Sequence, residues 1–266
     1  MYLHIAACFH GTNREEGSID GDLGRFAVAN GCGKLRPMNG KTSIQQCVYC
    51  GAGGTLTRDH VPPKAIFPKP RPLDLITVPA CLKCNQANSK DDEYFRLSLN
   101  VREELSENPA VQRGQPVVMR SLLDPKSPGK RQSFINSIRL VELMTPSGIY
   151  IKDHLAIETN TSRLRNVVRR IVRGLFYHHN NCRLPQNYEV YVCDEENFVK
   201  FPEPERVKFD PIVNALKNQN PRVIGQGVFS YHYGVNTSDP HSTYWILTFY
   251  ERAAYLGLTV PPLSSI

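Results

Sequence analysis

The apolar residues between positions 159 and 183 recur every three or four residues, which is the spacing of one face of an amphipathic helix. The opposite face is basic, and no acidic residue interrupts residues 159–183. This pattern predicts a helix with a core side and a charged side. The apolar positions are Leu164, Val167, Val168, Ile171, Val172 and Leu175, and the basic positions are Arg163, Arg169, Arg170 and Arg173.

Alternating apolar and polar residues predict strands elsewhere in the second half of the chain. The segment "RLVELMTPSGIYIKD" predicts a hairpin that turns at Pro146, Ser147 and Gly148, because turn residues separate two alternating runs. Later strands are predicted in "YEVYVCD", "GVFSYHYGV" and "TYWILTFY". A further helix is predicted with Ser89 as its N-cap, since acidic residues follow in its first turn. Strands and helices together predict an α+β protein.

The composition and residue pattern change along the chain and divide it into three parts. Residues 1–43 are rich in Gly, Asn and short polar residues, which predicts a loosely structured N-terminal segment. Residues 44–99 hold paired cysteines, several prolines and an Asp-His step. Residues 100–266 alternate strands with helices, which predicts a mixed α/β C-terminal domain. Its role stays open, and substrate binding is one candidate.

Composition narrows the class of protein. The chain of 266 residues is long enough to bury a core, and 41% hydrophobic with 21% charged residues is ordinary for a globular protein. The formal charge of +7 and a pI near 9.0 favour an anionic partner. Apolar runs fall short of the roughly 20 residues that a membrane helix requires. The sequence therefore predicts a soluble, cytoplasmic protein without a membrane partner.

The cysteines in the second part form two matched pairs. Cys47-x-x-Cys50 and Cys81-x-x-Cys84 are separated by thirty residues, and four thiolates complete a tetrahedral zinc shell. Two alternatives fit this pattern less well. A thioredoxin-like redox site needs only one such pair, inside a longer βαβ pattern, and buried free cysteines would not be expected to occur in two matched pairs. A shell of four thiolates leaves no open coordination position, so that we expect a structural zinc ion.

The sequence around the cysteine pairs resembles the zinc-stapled HNH endonuclease family over residues 44–99. The likeness rests on CxxC, then Asp-His-x-x-Pro in "TRDHVPPKAIF", then a strand, then CxxC followed at once by Asn. It implies a ββα-metal fold in which His60 is the general base. It also implies that Asp59 and Asn85 bind a catalytic Mg²⁺ or Mn²⁺ ion. Asp74 stands at the position of a family asparagine that steadies the loop carrying the base.

The chemistry of these residue types agrees with those roles. Phosphodiester hydrolysis needs a deprotonated water and a cation near the developing negative charge. A histidine with an ordinary pKa near 6.5 is available as a base at cellular pH, and hard oxygen ligands suit Mg²⁺. Simpler explanations stay open for two of the residues, since Asn85 is also a typical N-cap and Asp74 a typical turn residue.

Basic residues offer two surfaces for nucleic acid. The first is the predicted helix face with Arg163, Arg169, Arg170 and Arg173, for which a solvated face is the alternative. The second is the proline-rich insertion, where Lys64, with Lys69 and Arg71 nearby, is a candidate phosphate contact.

The resemblance implies a metal-dependent endonuclease that cleaves DNA to a 5′-phosphate and a 3′-hydroxyl, as bacterial and phage nucleases of this kind do. RNA stays open as a substrate. Cutting both strands requires two active sites or two encounters, which allows a homo-oligomer. The alternative function is a zinc-stapled nucleic-acid-binding protein without catalysis, in which Asp59, His60 and Asn85 serve only the fold.

Overall fold

The computed structural model describes residues 26–28, 46–145, 147–200 and 202–261 and shows a mixed α+β fold. The strands are β1 Phe26–Val28, β2 Leu56–His60, β3 Thr77–Cys81, β4 Ile138–Met144, β5 Tyr150–Ile157, β6 Glu189–Asp194, β7 Arg222–Ile224, β8 Phe229–Asn236, β9 Thr243–Phe249 and β10 Ala253–Val260. The α-helices are α1 Leu82–Ala87, α2 Ser89–Asn100, α3 Pro109–Leu123, α4 Pro128–Ile135, α5 Thr161–Asn180, α6 Glu195–Val199 and α7 Glu203–Lys217. Short 3-10 turns span Lys64–Ile66 and Glu103–Leu105.

The largest sheet is antiparallel and has the strand order β1-β8-β9-β10-β6, with β7 also paired to β8. Two separate hairpins, β2–β3 and β4–β5, complete the described strands. Helix α5 covers one face of the sheet, where Trp245 and Leu247 join its core, and α7 covers the other, where Tyr244 and Ile246 pack on it. Alternation places successive residues of β9 on opposite faces, which explains why this central strand is apolar on both.

Helix α5 contacts the β2–β3 hairpin as well as the sheet. A methyl group built on Gly257 of β10 would lie 2.9 Å from Val172, so the helix lies close to the sheet there. A methyl group built on Gly174 would lie 2.5 Å from Val61, the residue after β2. One core cluster therefore includes α5 and joins buried apolar side chains from residues 48–111 and 164–255, whereas Ile212, Leu216, Tyr244 and Ile246 form a second cluster at α7.

Several sequence predictions can be compared with this fold. The predicted amphipathic helix is confirmed as α5, which begins after the N-cap Asn160 and ends at Asn181 in the left-handed region, with φ 51°. The predicted hairpin is confirmed as β4–β5, although Pro146 of its turn lies outside the described residues. Ser89 as an N-cap is wrong by one residue, because α2 begins there and Asn88 precedes it.

The division into residues 1–43, 44–99 and 100–266 stays a prediction. The loosely structured segment 1–43 lies outside the described residues except for positions 26–28, which form β1 at the edge of the sheet.

The close approach of α5 to Val61 predicts the effect of Gly174→Ala. The added methyl group overlaps a buried valine, and overpacking of this kind costs about 1–3 kcal/mol of unfolding free energy. Gly129→Ala on α4 is the matched control, because no atom lies within 4 Å of its new methyl group. Urea unfolding should show a lower midpoint for Gly174→Ala only. Equal midpoints for the two variants would mean that α5 does not pack on the hairpin.

Candidate metal centre and catalytic residues

The sulfur atoms of Cys47, Cys50, Cys81 and Cys84 all lie within 4.8 Å of one another. The Sγ atoms of Cys50 and Cys81 are 3.7 Å apart, which is too far for a disulfide. A tetrahedral zinc site with Zn–S bonds of about 2.3 Å has sulfur atoms about 3.8 Å apart. The cluster therefore has the donor set and the spacing of a four-thiolate metal site, which confirms that the paired cysteines come together.

Backbone hydrogen bonds hold the two cysteine pairs against each other. The N–H of Val48 donates to the carbonyl of Pro79 on β3 at 3.0 Å, and the N–H of Gly51 donates to the carbonyl of Cys47 at 2.8 Å. Burial alone raises the pKa of the Cys47 thiol. Backbone hydrogen bonds from Cys50, Cys81 and Tyr49 outweigh it and lower that pKa to about 7. A thiolate, which is the form that binds zinc, is therefore accessible near neutral pH at Cys47, whereas burial raises the pKa of the Cys84 thiol.

Asn85 lies inside α1 and faces β2. Its amide nitrogen donates to Oγ1 of Thr57 at 2.8 Å and lies 3.5 Å from the carbonyl of Arg58. The interpretation of Asn85 as an N-cap is wrong, because Cys81 occupies the N-cap position of α1 and accepts from the N–H of Cys84. With its nitrogen used in this way, the side-chain oxygen of Asn85 is the atom that can bind a cation.

Asp59 is only 7% exposed and faces the protein interior. Its Oδ2 accepts a hydrogen bond from the Tyr49 hydroxyl at 2.8 Å and lies 3.9 Å from Nε of Arg170. Among the described residues, Oδ1 of Asp59 accepts no hydrogen bond. Thr57 and Asp59 are two residues apart on β2 and share a face, so that Asn85 lies on the same face of the hairpin as Asp59.

His60 is the last residue of β2 and is half-buried. Burial lowers its pKa below the ordinary value, and the positive charges of Lys64 and Arg71 act in the same direction, against the charge of Asp59. Nε of Arg71 donates to the carbonyl of Lys64 at 3.2 Å, which brings the two exposed cations together beside the imidazole. His60 is therefore neutral at cellular pH and lies in positive surroundings.

Asp74 lies in an exposed turn before β3. Within the described part of the chain it makes no hydrogen bond or ion pair to the segment that follows His60. This placement supports the interpretation of Asp74 as a turn residue. No contact of Asp74 with a described residue supports the steadying role that the resemblance implies.

The arginines of α5 differ in what they contact. Arg170 is 8% exposed and pairs with Asp92 and Asp59, so that its expected place on a solvent-facing stripe is wrong. An isolated guanidinium is too costly to bury, and two carboxylates compensate its charge. Arg163 donates to Asp91 at 2.7 Å and to the carbonyl of Lys90.

Arg169 and Arg173 instead donate to neutral backbone carbonyls, those of Val190 and Tyr188. No carboxylate among the described residues forms an ion pair with either of them.

Tyr49, Arg170 and Asp92 form a polar network around Asp59 that the sequence does not reveal. Burial raises the pKa of Asp92 to about 6, although the charge of Arg170 acts in the opposite direction. Burial also raises the pKa of Tyr49, so the phenol keeps its proton and donates to Asp59. The only local signal of this network is the position of Tyr49 between the first two cysteines. Tyr49 and Arg170 have no characteristic spacing in the sequence.

None of the helices in the described residues is both long enough and apolar enough to cross a membrane. The cytoplasmic location and the homo-oligomer stay predictions.

The cysteine cluster predicts which substitution removes metal. Cys81→Ser should lower the zinc content per chain and the unfolding midpoint, because a structural zinc site contributes to folding free energy. Cys182→Ser is the matched control, since Cys182 is half-buried and lies outside the cluster. Elemental analysis and thermal melts of both variants test this. Equal zinc in the two variants would contradict the four-thiolate site.

No protein-family model, curated protein or solved structure matches this chain. The resemblance to HNH endonucleases stays a prediction from the sequence of residues 44–99.

Proposed function

We propose that the protein is a metal-dependent endonuclease that hydrolyses phosphodiester bonds in DNA. His60 is the general base, and Asp59 and Asn85 hold a divalent cation. The observation that carries the proposal is the position of His60, at the end of the hairpin that bears the cysteine cluster and close to the two exposed cations Lys64 and Arg71.

The surroundings of His60 suit a phosphodiester. Lys64 and Arg71 are close enough for their charges to lower its pKa, so a phosphate that approaches the imidazole also approaches both cations. A base must be unprotonated to accept the proton of water, and the lowered pKa keeps His60 in that form. The same cations stabilise the negative charge that develops on the phosphate during attack.

The side-chain oxygen atoms of Asp59 and Asn85 are suitable ligands for a hard divalent cation. One carboxylate oxygen and one amide oxygen lie on the same face of β2, and Mg²⁺ typically uses one or two carboxylates together with substrate phosphates. Tyr49 and Arg170 contact only Oδ2 of Asp59, which leaves Oδ1 for the cation. When bound, Mg²⁺ or Mn²⁺ supplies positive charge to the phosphate and the leaving oxygen.

The chain's own residues then account for the proton. His60 accepts a proton from the attacking water as its oxygen forms a bond to phosphorus. The bond from phosphorus to the 3′ oxygen breaks, and that oxygen takes up a proton from solvent. The products implied by the resemblance to HNH endonucleases are a 5′-phosphate and a 3′-hydroxyl. Tyr49 orients Asp59 through a hydrogen bond of 2.8 Å.

A second candidate function is a zinc-stapled nucleic-acid-binding protein without catalysis. The observation that favours it is the burial of Asp59 and its pairing with Arg170, which is also what a purely structural carboxylate shows. In that case the protein binds DNA, and neither added Mg²⁺ nor Mn²⁺ produces cleavage.

His60→Ala should abolish cleavage of plasmid DNA in Mg²⁺ or Mn²⁺ while the zinc content and the melting temperature stay at the parent values. Loss of a general base costs about 10²–10⁴ in rate. The control is His178→Ala, which removes an exposed histidine from α5. The base assignment fails if His60→Ala and His178→Ala cleave at the same rate.

The pH dependence of cleavage should report the lowered pKa of His60. A base works when it is unprotonated, so the rate should rise with pH through that pKa and level off above it. Because burial and two cations lower the pKa, the rise should lie below the ordinary value of about 6.5. Single-turnover rates between pH 4.5 and 8, on the order of half a pH unit apart, measure this. A midpoint above 6.5 would contradict the positive surroundings of the imidazole.

A further inference from the structure

Arg173 and Arg183 form a pair of like charges beside the cysteine cluster. Nη2 of Arg173 donates to the carbonyl of Tyr188 at 3.2 Å. The guanidinium of Arg183 lies against Gly51, where an added methyl group would come within 2.1 Å of its Nη1. Gly51 directly follows Cys50, and Gln186 also reaches the carbonyl of Cys50 at 3.4 Å. Both arginines therefore lie where the segment after α5 meets the first cysteine pair.

This pair has no acidic partner in the part of the chain that the structure describes. The charge of Arg183 lowers the pKa of Arg173 in the same direction as burial, which indicates that the two cations are close enough to repel each other. Arg163 and Arg170 on the same helix are paired with Asp91, Asp92 and Asp59. Arg165 lies 3.9 Å from Asp194, so that three arginines of α5 have an acidic partner, whereas Arg173 has a like charge as its neighbour.

The helix that carries Arg173 also packs on the chain just after β2, next to the candidate base. Arg173 precedes Gly174, and Gly174 packs on Val61, the residue after His60. One helical turn before Arg173, Arg169 also donates to a carbonyl, that of Val190, and its pKa is lowered by burial and by the charge of Arg165, against the charge of Glu189. Residues four apart on a helix share a face, so the row of positive charge continues along α5.

We infer that Arg173 and Arg183 bind a phosphate of the nucleic-acid backbone, with Arg169 extending the contact along the strand. Two half-buried guanidinium groups with free donors match the oxygens of one phosphate, and an anion relieves their mutual repulsion. This assignment rests on the proposed function for the nature of the ligand. It differs from the face predicted by helical spacing, because it excludes Arg163 and Arg170 and adds Arg183, which lies beyond the helix.

The test compares two double variants that each remove two positive charges. Arg173→Gln/Arg183→Gln removes the pair, and Arg113→Gln/Arg131→Gln removes two exposed arginines on α3 and α4. Binding of an unrelated duplex of fixed length is measured without divalent metal at several salt concentrations. Each lost phosphate contact reduces the slope of log K against log salt by about 0.9, so the pair variant, which loses its contact with one phosphate, should lose about 0.9 in slope. The control should keep the slope of the parent.

The outcomes separate this inference from the proposed function. If the pair variant and the control bind alike while the parent cleaves DNA, the phosphate contact is wrong and the nuclease stands. If the parent does not cleave but the pair variant alone loses affinity and slope, the contact stands and the nuclease fails. Inorganic phosphate tests the source of the anion. If it displaces the duplex at micromolar concentration, the pair is a site for free phosphate and the backbone contact is overturned.

Discussion

A buried guanidinium sets the arrangement of the elements around the candidate site. Arg170 of α5 is enclosed by the protein and pairs with Asp92 on α2 and with Asp59 on β2. Removal of one partner from such a buried set typically costs about 3–5 kcal/mol, because the remaining charge stays uncompensated. The helix, the hairpin and α2 therefore have to meet in one relative position for the protein to fold.

This constraint joins the structural and the chemical parts of the site. The cysteine cluster fixes one end of the β2–β3 hairpin, and the ion pairs of Arg170 fix the face of the strand next to the candidate base. Alternation along β2 points His60 away from Asp59, so the proposed site requires the bend at Val61 and Pro62 directly after the strand to bring both side chains to one phosphate. The imidazole lies beside Lys64 and Arg71. A histidine held on a rigid strand in positive surroundings is suited to act on a phosphodiester, whereas a loop residue would need ordering first.

Much of this arrangement follows from local patterns in the sequence. Helical spacing of apolar residues predicts α5, two-residue spacing of cysteines predicts the cluster, and alternation predicts the β4–β5 hairpin. The surroundings of Asp59 do not follow, because Tyr49, Asp92 and Arg170 come from three separate elements and long-range ion pairs leave no periodic signal. Helical spacing also places Arg170 on the basic face. Spacing indicates the direction of a side chain, but it does not indicate whether an acidic residue of another element lies next to that side chain.

We expect the β2–β3 hairpin with its cysteine cluster and the large sheet to form one cooperative structure through α5. Trp245 is the only tryptophan in the chain, and it is buried between the sheet and α5, which makes its fluorescence a probe of that core. Zinc release, followed with a chromogenic chelator, is a probe of the hairpin. In a denaturant titration of the wild-type protein, the two transitions should coincide, as cooperative unfolding requires. Release of zinc at a lower denaturant concentration, before any change in Trp245 fluorescence, would show that the hairpin and the sheet unfold separately and would contradict this cooperative structure.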